Sequence, residues 1–301
     1  MSRRMLPVLS VALLVLGQAA VARAQGMRRA MVVSVVDQAG APVAALTPAD
    51  FIVREDNVSR EVLAVGPADD AMEVAVLVDT SAAAGREIPN IRRALPGLIE
   101  VLTRPTASGQ HNRVALIGFG ARPTILADYT TDRGRLEKAV SLVWELQPPS
   151  NGYLLDAINE VTQGFKKRAT ARPVIIVITA EGPDPNTSYN DRVLTPIRET
   201  HTNLNVISVG APSTDMSNDG RSRDRVLNDG PPQSGGLRER LLIGNVLPEK
   251  LRQLGEVLTH QYRVTYAHPD SLIPPERITV TARRPELVAR GLVLADPQAR
   301  R

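Results

Sequence analysis

The chain is 301 residues long, 43% hydrophobic and free of cysteine, with 36 Lys and Arg against 32 Asp and Glu. That length allows one large or two modest domains, and the apolar fraction is enough for a packed core. Without cysteine, disulfides, thiol catalysis and thiolate metal sites are excluded.

The first 24 residues read as an export signal rather than as part of a fold. Arg3 and Arg4 precede an apolar run over residues 6–16 (LPVLSVALLVL), which is too short for a comfortable membrane span. Ala22-Arg23-Ala24 fits a small-x-small cleavage site, which predicts a mature chain starting at Gln25 in the periplasm or outside the cell. The alternative is an uncleaved N-terminal anchor. No later stretch is long and apolar enough to span a membrane. Arg3, Arg4 and Arg23 fall inside the signal, so the rest of the chain carries 33 basic and 32 acidic residues. The basic balance of the full chain is therefore no sign of nucleic-acid binding. Aromatic residues at 3% also give no stacking surface for bases.

After residue 24 the chain opens with a β-rich stretch at 30–36 (AMVVSVV), closed by a turn at Gln38-Ala39-Gly40. Phe51 and Val53 alternate with Ile52 and Arg54, and Glu55-Asp56-Asn57 predicts a tight turn into a second strand near 61–65. From residue 73 the pattern changes. EVAVLVD (73–79), NRVALIGF (112–119), PVIIVIT (173–179) and NLNVISV (203–209) are nearly continuous apolar runs, as suits strands buried on both faces of a parallel sheet. Helical spacing lies between them. Ile88, Ile91, Leu95, Leu98 and Leu102 share one face, with a kink expected at Pro96; Leu136, Val140 and Val143 mark a second helix, and Leu154, Ile158, Val161 and Phe165 a third. PTILADY (123–129) follows its neighbour too closely for a crossover and should pair with 112–119 as a hairpin. Residues 211–236 are rich in Gly, Pro, Ser and Asp and are expected to form a flexible loop, open to proteolysis near Arg221, Arg223 and Arg225. A helix with Leu247, Leu251, Leu254 and Leu258 follows, with Pro248 in its first turn, and then two alternating strands, QYRVTYA (261–267) and RITVTAR (277–283). Tyr262 and Tyr266 share a strand face and suit core packing.

The fold class is thus α/β: a Rossmann-like layer of mostly parallel strands with helices on both faces at 71–260, inserted between β segments at 25–70 and 261–301 that pack together as a small β-sandwich domain. In such a sheet, ligands sit at the carboxyl ends of the strands near the switch in strand order. Three loops qualify: residues 79–83 (DTSAA), 150–153 (SNGY) and 180–184 (AEGPD).

These residues carry a resemblance. VAVLVDTS (74–81) before an amphipathic helix resembles the opening of a von Willebrand factor A (VWFA) domain. The chain ends, VVSVVDQAGAPVAALTPADF (32–51), QYRVTY (261–266) and RITV (277–280), resemble a secreted bacterial subfamily first described from acidobacteria. TTDRGRLEKAV (130–140) and YLLDAI (153–158) are similar to the connecting segments of the family. Its metal-ion-dependent adhesion site takes D-x-S-x-S from the first loop, a Thr from the second and an Asp from the third. Mapped onto this chain, Asp79 and Ser81 keep two metal-ligand positions, while the others fall on Ala83, Gly152 and Ala180, which offer no side-chain oxygen. The resemblance therefore implies a non-enzymatic module that binds a protein partner, with no cofactor, or Mg²⁺ or Ca²⁺ held only weakly. The expected ligand-binding set is Asp79, Thr80, Ser81, Asn151 and Glu181, with Asp79 and Ser81 as the metal ligands. A metal-dependent adhesion module remains open if Ser150, Asn151, Glu181 or Asp184 substitutes for the lost oxygens. Asp79 can equally cap the helix that follows it.

Other chemistry has little support. His111, His201, His260 and His268 show no ligand spacing. Gly118-Phe119-Gly120 begins like a dinucleotide loop but runs into Arg122-Pro123 with no helix, and neither a P-loop nor a nucleophile elbow is present. A periplasmic hydrolase using carboxylates that the sequence does not place is the third reading, after the binding module and the metal-dependent adhesion module.

Overall fold

The computed structural model describes residues 27–143, 151–182, 184–185, 188–212, 215–269 and 273–294. The segment expected to be an export signal, with its expected cleavage site, and Ser150 lie outside them.

The chain begins with β1 (Met27–Val36), β2 (Phe51–Glu55), β3 (Val58–Arg60) and β4 (Val62–Pro67). Asp56 and Asn57 both take positive φ, 47° and 68°, the backbone of a tight hairpin turn that short polar side chains tolerate. One strand was expected after this turn, and two short ones form instead: β3 pairs with β2, whereas β4 leaves for another sheet. The α/β elements follow: β5 (Glu73–Asp79), α1 (Ile88–Leu102), β6 (Arg113–Phe119), β7 (Pro123–Thr130), α2 (Arg133–Leu142), α3 (Leu154–Arg168), β8 (Pro173–Ala180), α4 (Asn190–Glu199), β9 (Asn203–Val209), α5 (Asn218–Gln233), β10 (Arg238–Leu241) and α6 (Leu247–Thr259). The last three strands are β11 (Tyr262–His268), β12 (Ile278–Ala282) and β13 (Val288–Val293).

The central sheet has the order β10-β9-β8-β5-β6-β7, parallel throughout except for the β6–β7 hairpin. Side chains alternate across it, and each strand feeds two cores. Val74, Val76 and Val78 of β5 pack with α1, α2 and α6, while Ala75 and Leu77 pack with α3, α4 and α5. That is why these strands read as unbroken apolar runs. Strands from the two ends of the chain share a second sheet, β13-β1-β11-β4, in which β1 runs antiparallel to both β11 and β13. A third sheet, β12-β2-β3, faces it across Phe51, Val53, Val280, Met31, Val33 and Tyr266. Among the described residues, no helix is long and apolar enough to cross a membrane.

The main correction concerns residues 211–236. The expected loop contains α5, a helix of 16 residues. Ser217 caps it by accepting from Gly220 N–H at 3.0 Å. Arg223, Val226, Leu227 and Gly230 fall at i, i+3, i+4 and i+7, and all four are buried. Gly230 sits so close to the sheet that a Cβ there would lie 2.9 Å from Leu204 Cδ2. Tertiary packing thus overrides a composition poor in helix formers, and Pro231 and Pro232 fall in the last turn. Arg223, one of the expected cleavage points, is buried inside this helix. The helix α4 and the edge strand β10 had no counterpart in the sequence reading; α4 buries only Val193, Leu194 and Ile197.

The turn after α5 also meets the β-sandwich. Gly235 has φ +68°, and a Cβ there would lie 2.6 Å from the backbone carbon of Gly291 in β13. Gly235→Ala adds left-handed strain of about 1–2 kcal/mol to this backbone collision. The variant should therefore lose at least about 1 kcal/mol in urea denaturation, through a lower midpoint at unchanged slope. An unchanged midpoint would show that the contact is not structural.

Candidate functional site

In the central sheet, β5 lies between β6 and β8, and the chain leaves β5 toward β6 before returning on the other side at β8. This reversal leaves a crevice at the carboxyl ends of β5 and β8. Asp79 ends β5, and Ala180 ends β8.

Asp79 is buried, and both of its carboxylate oxygens are engaged by protein donors. Oδ1 accepts from the Ser81 N–H at 2.9 Å. Oδ2 accepts from the Thr179 hydroxyl at 2.9 Å and from the Ala180 N–H at 3.0 Å. The carboxylate thus ties the first loop to the third. It is bonded to the loops and not to α1, whose N-cap residue is Glu87. Thr80 is buried, and its N–H donates to the Phe119 carbonyl at 2.9 Å, which binds the first loop to β6. Ser81 is buried against Gly152: a Cβ on Gly152 would lie 3.6 Å from Ser81 Oγ, in ordinary contact. A Cβ on Gly182 would come within 2.4 Å of the Ala83 methyl, so the third loop closes onto position 83 only because residue 182 has no side chain. The positions of Ser81, Ala83, Gly152 and Ala180 therefore do converge.

Arg223 of α5, within the segment expected to be a loop, completes the crevice. Its side chain is 4% exposed and reaches the two acidic residues of the third loop. Nη1 donates to Glu181 Oε2 at 2.9 Å, and Nε lies 3.4 Å from Asp184 Oδ2. Nη2 donates to the Ala180 carbonyl at 3.0 Å. Asp184 Oδ1 accepts the Leu154 N–H at 3.0 Å and so caps α3. Glu181 also lies 3.5 Å from Arg238 and 3.4 Å from Arg240. Burial opposes ionisation of Glu181, but the positive charge of Arg223, with that of Arg238, outweighs it and holds the carboxyl below the ordinary glutamate range. Asn151 is exposed and takes no part in lining the crevice.

What is left between Asp79, Ser81, Gly152, Asp184 and Arg223 is a void of about 10 Å³. That is at the lower limit for a single water. Among the described residues, no three His, Asp or Glu side chains converge closely enough to hold a metal ion.

Residues 73–225, half of the chain, match the von Willebrand factor type A domain family. The chain belongs to this family. VWA domains are protein-interaction and adhesion modules, and the matched span runs from β5 to the middle of α5, ending just past Arg223. Solved structures with a similar course include the manganese-loaded TRAP protein of Plasmodium vivax, at 15% identity over 78% of this chain and 84% of that one, TM-score 0.46. A von Willebrand factor type A protein from Catenulispora acidiphila is similar at 9% identity over 90% of this chain and 73% of that one, TM-score 0.47. BatB from Bacteroides thetaiotaomicron is similar at 14% identity over 62% of this chain and 99% of that one, TM-score 0.42. A comparison with curated proteins finds no match.

The sequence signal for Arg223 was its place on the buried stripe with Val226, Leu227 and Gly230. A charged residue and a glycine hid that stripe from a search for apolar periodicity. Replacing Arg223 by Met keeps the stem but leaves Asp184 and Glu181 without their shared cation. Breaking a buried ion pair from one side costs about 3–5 kcal/mol. Arg223→Met should lose that much stability in urea denaturation of the full chain. A loss below about 1 kcal/mol, the range of exposed ion pairs, would show that the guanidinium is not what neutralises the crevice.

Proposed function

We propose that this VWA protein is exported and acts in the periplasm or outside the cell as a non-enzymatic, protein-binding module that needs no divalent metal. One observation carries the metal-independent part: the cation of the crevice is the Arg223 guanidinium, held by Glu181 and Asp184. Mg²⁺ requires about six oxygen ligands and Ca²⁺ about six to eight. Here Ala83, Gly152 and Ala180 supply no side-chain oxygen, both oxygens of Asp79 accept from the protein, and Glu181 and Asp184 are committed to Arg223. The residues present do not fit the family's metal. The two substitutes the sequence offered in the third loop are the same groups that neutralise Arg223, so an ion would have to displace a buried guanidinium.

Export rests on the positive and apolar start of the chain and on Ala22-Arg23-Ala24. Membership of the secreted subfamily rests on the segments 32–51, 261–266 and 277–280, which supply strands to the two smaller sheets. The non-enzymatic reading is supported by Glu181, whose charge is held by arginines. A general acid needs a raised pKa, and that of Glu181 is lowered. The protein partner then engages the loops around the crevice.

Two measurements test this. Adding Mg²⁺, Ca²⁺ or Mn²⁺ at about 1 mM should leave the melting temperature within about one degree. A micromolar site would add about 4 kcal/mol of stability at that concentration and raise the melting temperature by several degrees. A rise of that size, abolished by Asp79→Ala, would refute metal independence. N-terminal sequencing of the exported protein should begin at Gln25. A chain starting at Met1 in the membrane fraction would overturn export by cleavage.

A further inference from the structure

A second charged site lies at the other end of the central sheet, at the amino ends of its strands and outside the crevice. Arg172 immediately precedes β8 and is only 8% exposed. Its Nη1 donates to the carbonyls of Ala68 at 2.7 Å and Asp70 at 2.5 Å, and Nη2 donates to the Gln261 side chain at 2.6 Å. Its Nε has no hydrogen-bond partner among the described residues. No carboxylate there comes within ion-pair distance of it, and the charge of Asp69 acts only from further off. Burial pulls its pKa down to about 10, the direction expected of a cation lacking a close counter-ion.

Arg172 borders a cavity of about 570 Å³, within the size range of small-molecule sites. Arg28, Arg29 and Arg263 line the same cavity, with Asp70 and apolar walls from Ile278 and Val293. Val32 sits opposite Arg263 in the β1–β11 pair, and Arg28 lies two pleat repeats along β1 from Val32. Arg28 and Arg263 therefore project from one face of that sheet. Arg263 is ion-paired with Asp70. Arg28 has no carboxylate within ion-pair distance among the described residues. Among the described residues, two guanidinium charges on this face, Arg28 and Arg172, have no carboxylate within ion-pair distance, and Arg29 adds positive potential from the cavity wall.

We propose that this cavity binds a phosphate monoester, with the dianionic phosphoryl group between Arg28 and Arg172 and the organic part against Ile278 and Val293. Two guanidiniums without a close carboxylate match a double negative charge; the fork of Arg28 is free to bind phosphoryl oxygens, while Arg172, whose Nη donors serve the fold, supplies charge from the cavity wall. A monoanion carries half the charge and so gains less from the two guanidiniums than a dianion does. The site is independent of the crevice loops and of how the protein uses them.

Titration calorimetry of the full chain with phenyl phosphate at pH 8 and constant ionic strength tests the assignment. Phenyl sulfate serves as the monoanion of the same shape. Phenyl phosphate should bind at least about tenfold more tightly than phenyl sulfate, and Arg28→Gln should weaken it by about tenfold, the worth of one charged hydrogen bond. The Arg28 side chain is exposed and makes no hydrogen bond among the described residues, so its replacement leaves the near-ultraviolet circular dichroism unchanged. Arg135→Gln, an exposed arginine on α2, should leave affinity as it was. Absence of heat with phenyl phosphate, equal affinity for phenyl sulfate, or unchanged affinity in Arg28→Gln would each overturn the proposal.

Discussion

The crevice is organised around a buried charge balance. Asp79, Glu181 and Asp184 bring three carboxylates to the carboxyl ends of β5 and β8, where solvent is excluded and uncompensated charge is expensive. Asp79 is satisfied by amide and hydroxyl donors from the loops themselves. Glu181 accepts from Arg223 and Asp184 is ion-paired with it, and Arg223 comes from a helix some forty residues downstream. Holding that guanidinium fixes α5 against the sheet, and α5 in turn fixes the turn at Gly235. The helix is therefore as much a product of the crevice as a wall of it.

The same logic explains how the β-sandwich and the central sheet are joined. Besides the backbone approach of Gly235 to Gly291, the main polar tie is Arg172, whose guanidinium bonds the β4–β5 connection and Gln261 at the start of β11. Gln261 passes the tie on to Ser34 of β1 at 2.8 Å. Inside the sandwich, Glu55 accepts from the Tyr266 hydroxyl at 3.1 Å and from Arg60 at 2.9 Å, and His268 Nδ1 lies 2.8 Å away. Tyr266 is wholly buried, and burial beside the negative Glu55 pushes its hydroxyl pKa upward, so it stays a donor. Buried polar networks thus fix positions in both units, within cores held mainly by aliphatic packing.

Burial on both faces made the parallel strands visible in the sequence, since apolar residues fill most positions of β5, β6, β8 and β9. Helices α1, α3 and α6 showed through their apolar stripes, and the hairpin β6–β7 through its short connection. The positions of Asp79, Ser81, Ala83, Gly152 and Ala180 around one crevice were legible too, because chain order and strand order fix which loops meet. These features depend on local pattern and on topology, and a single sequence carries both.

What only the tertiary structure decided was the partner of each charge. Glu181 and Asp184 read as spare oxygens for an ion until α5 placed Arg223 between them. The helix itself was hidden because its buried face is made of an arginine, two aliphatics and a glycine, so neither propensity nor hydrophobic periodicity marks it. Asn151 reads as a neighbour of Asp79 from loop order alone, but it is exposed and does not line the crevice. Sequence specifies which residues bear charge and roughly where they lie along each strand. The energy of burying those charges depends on distances between segments far apart in the chain, and those distances exist only once the sheet has closed and the helices have packed against it.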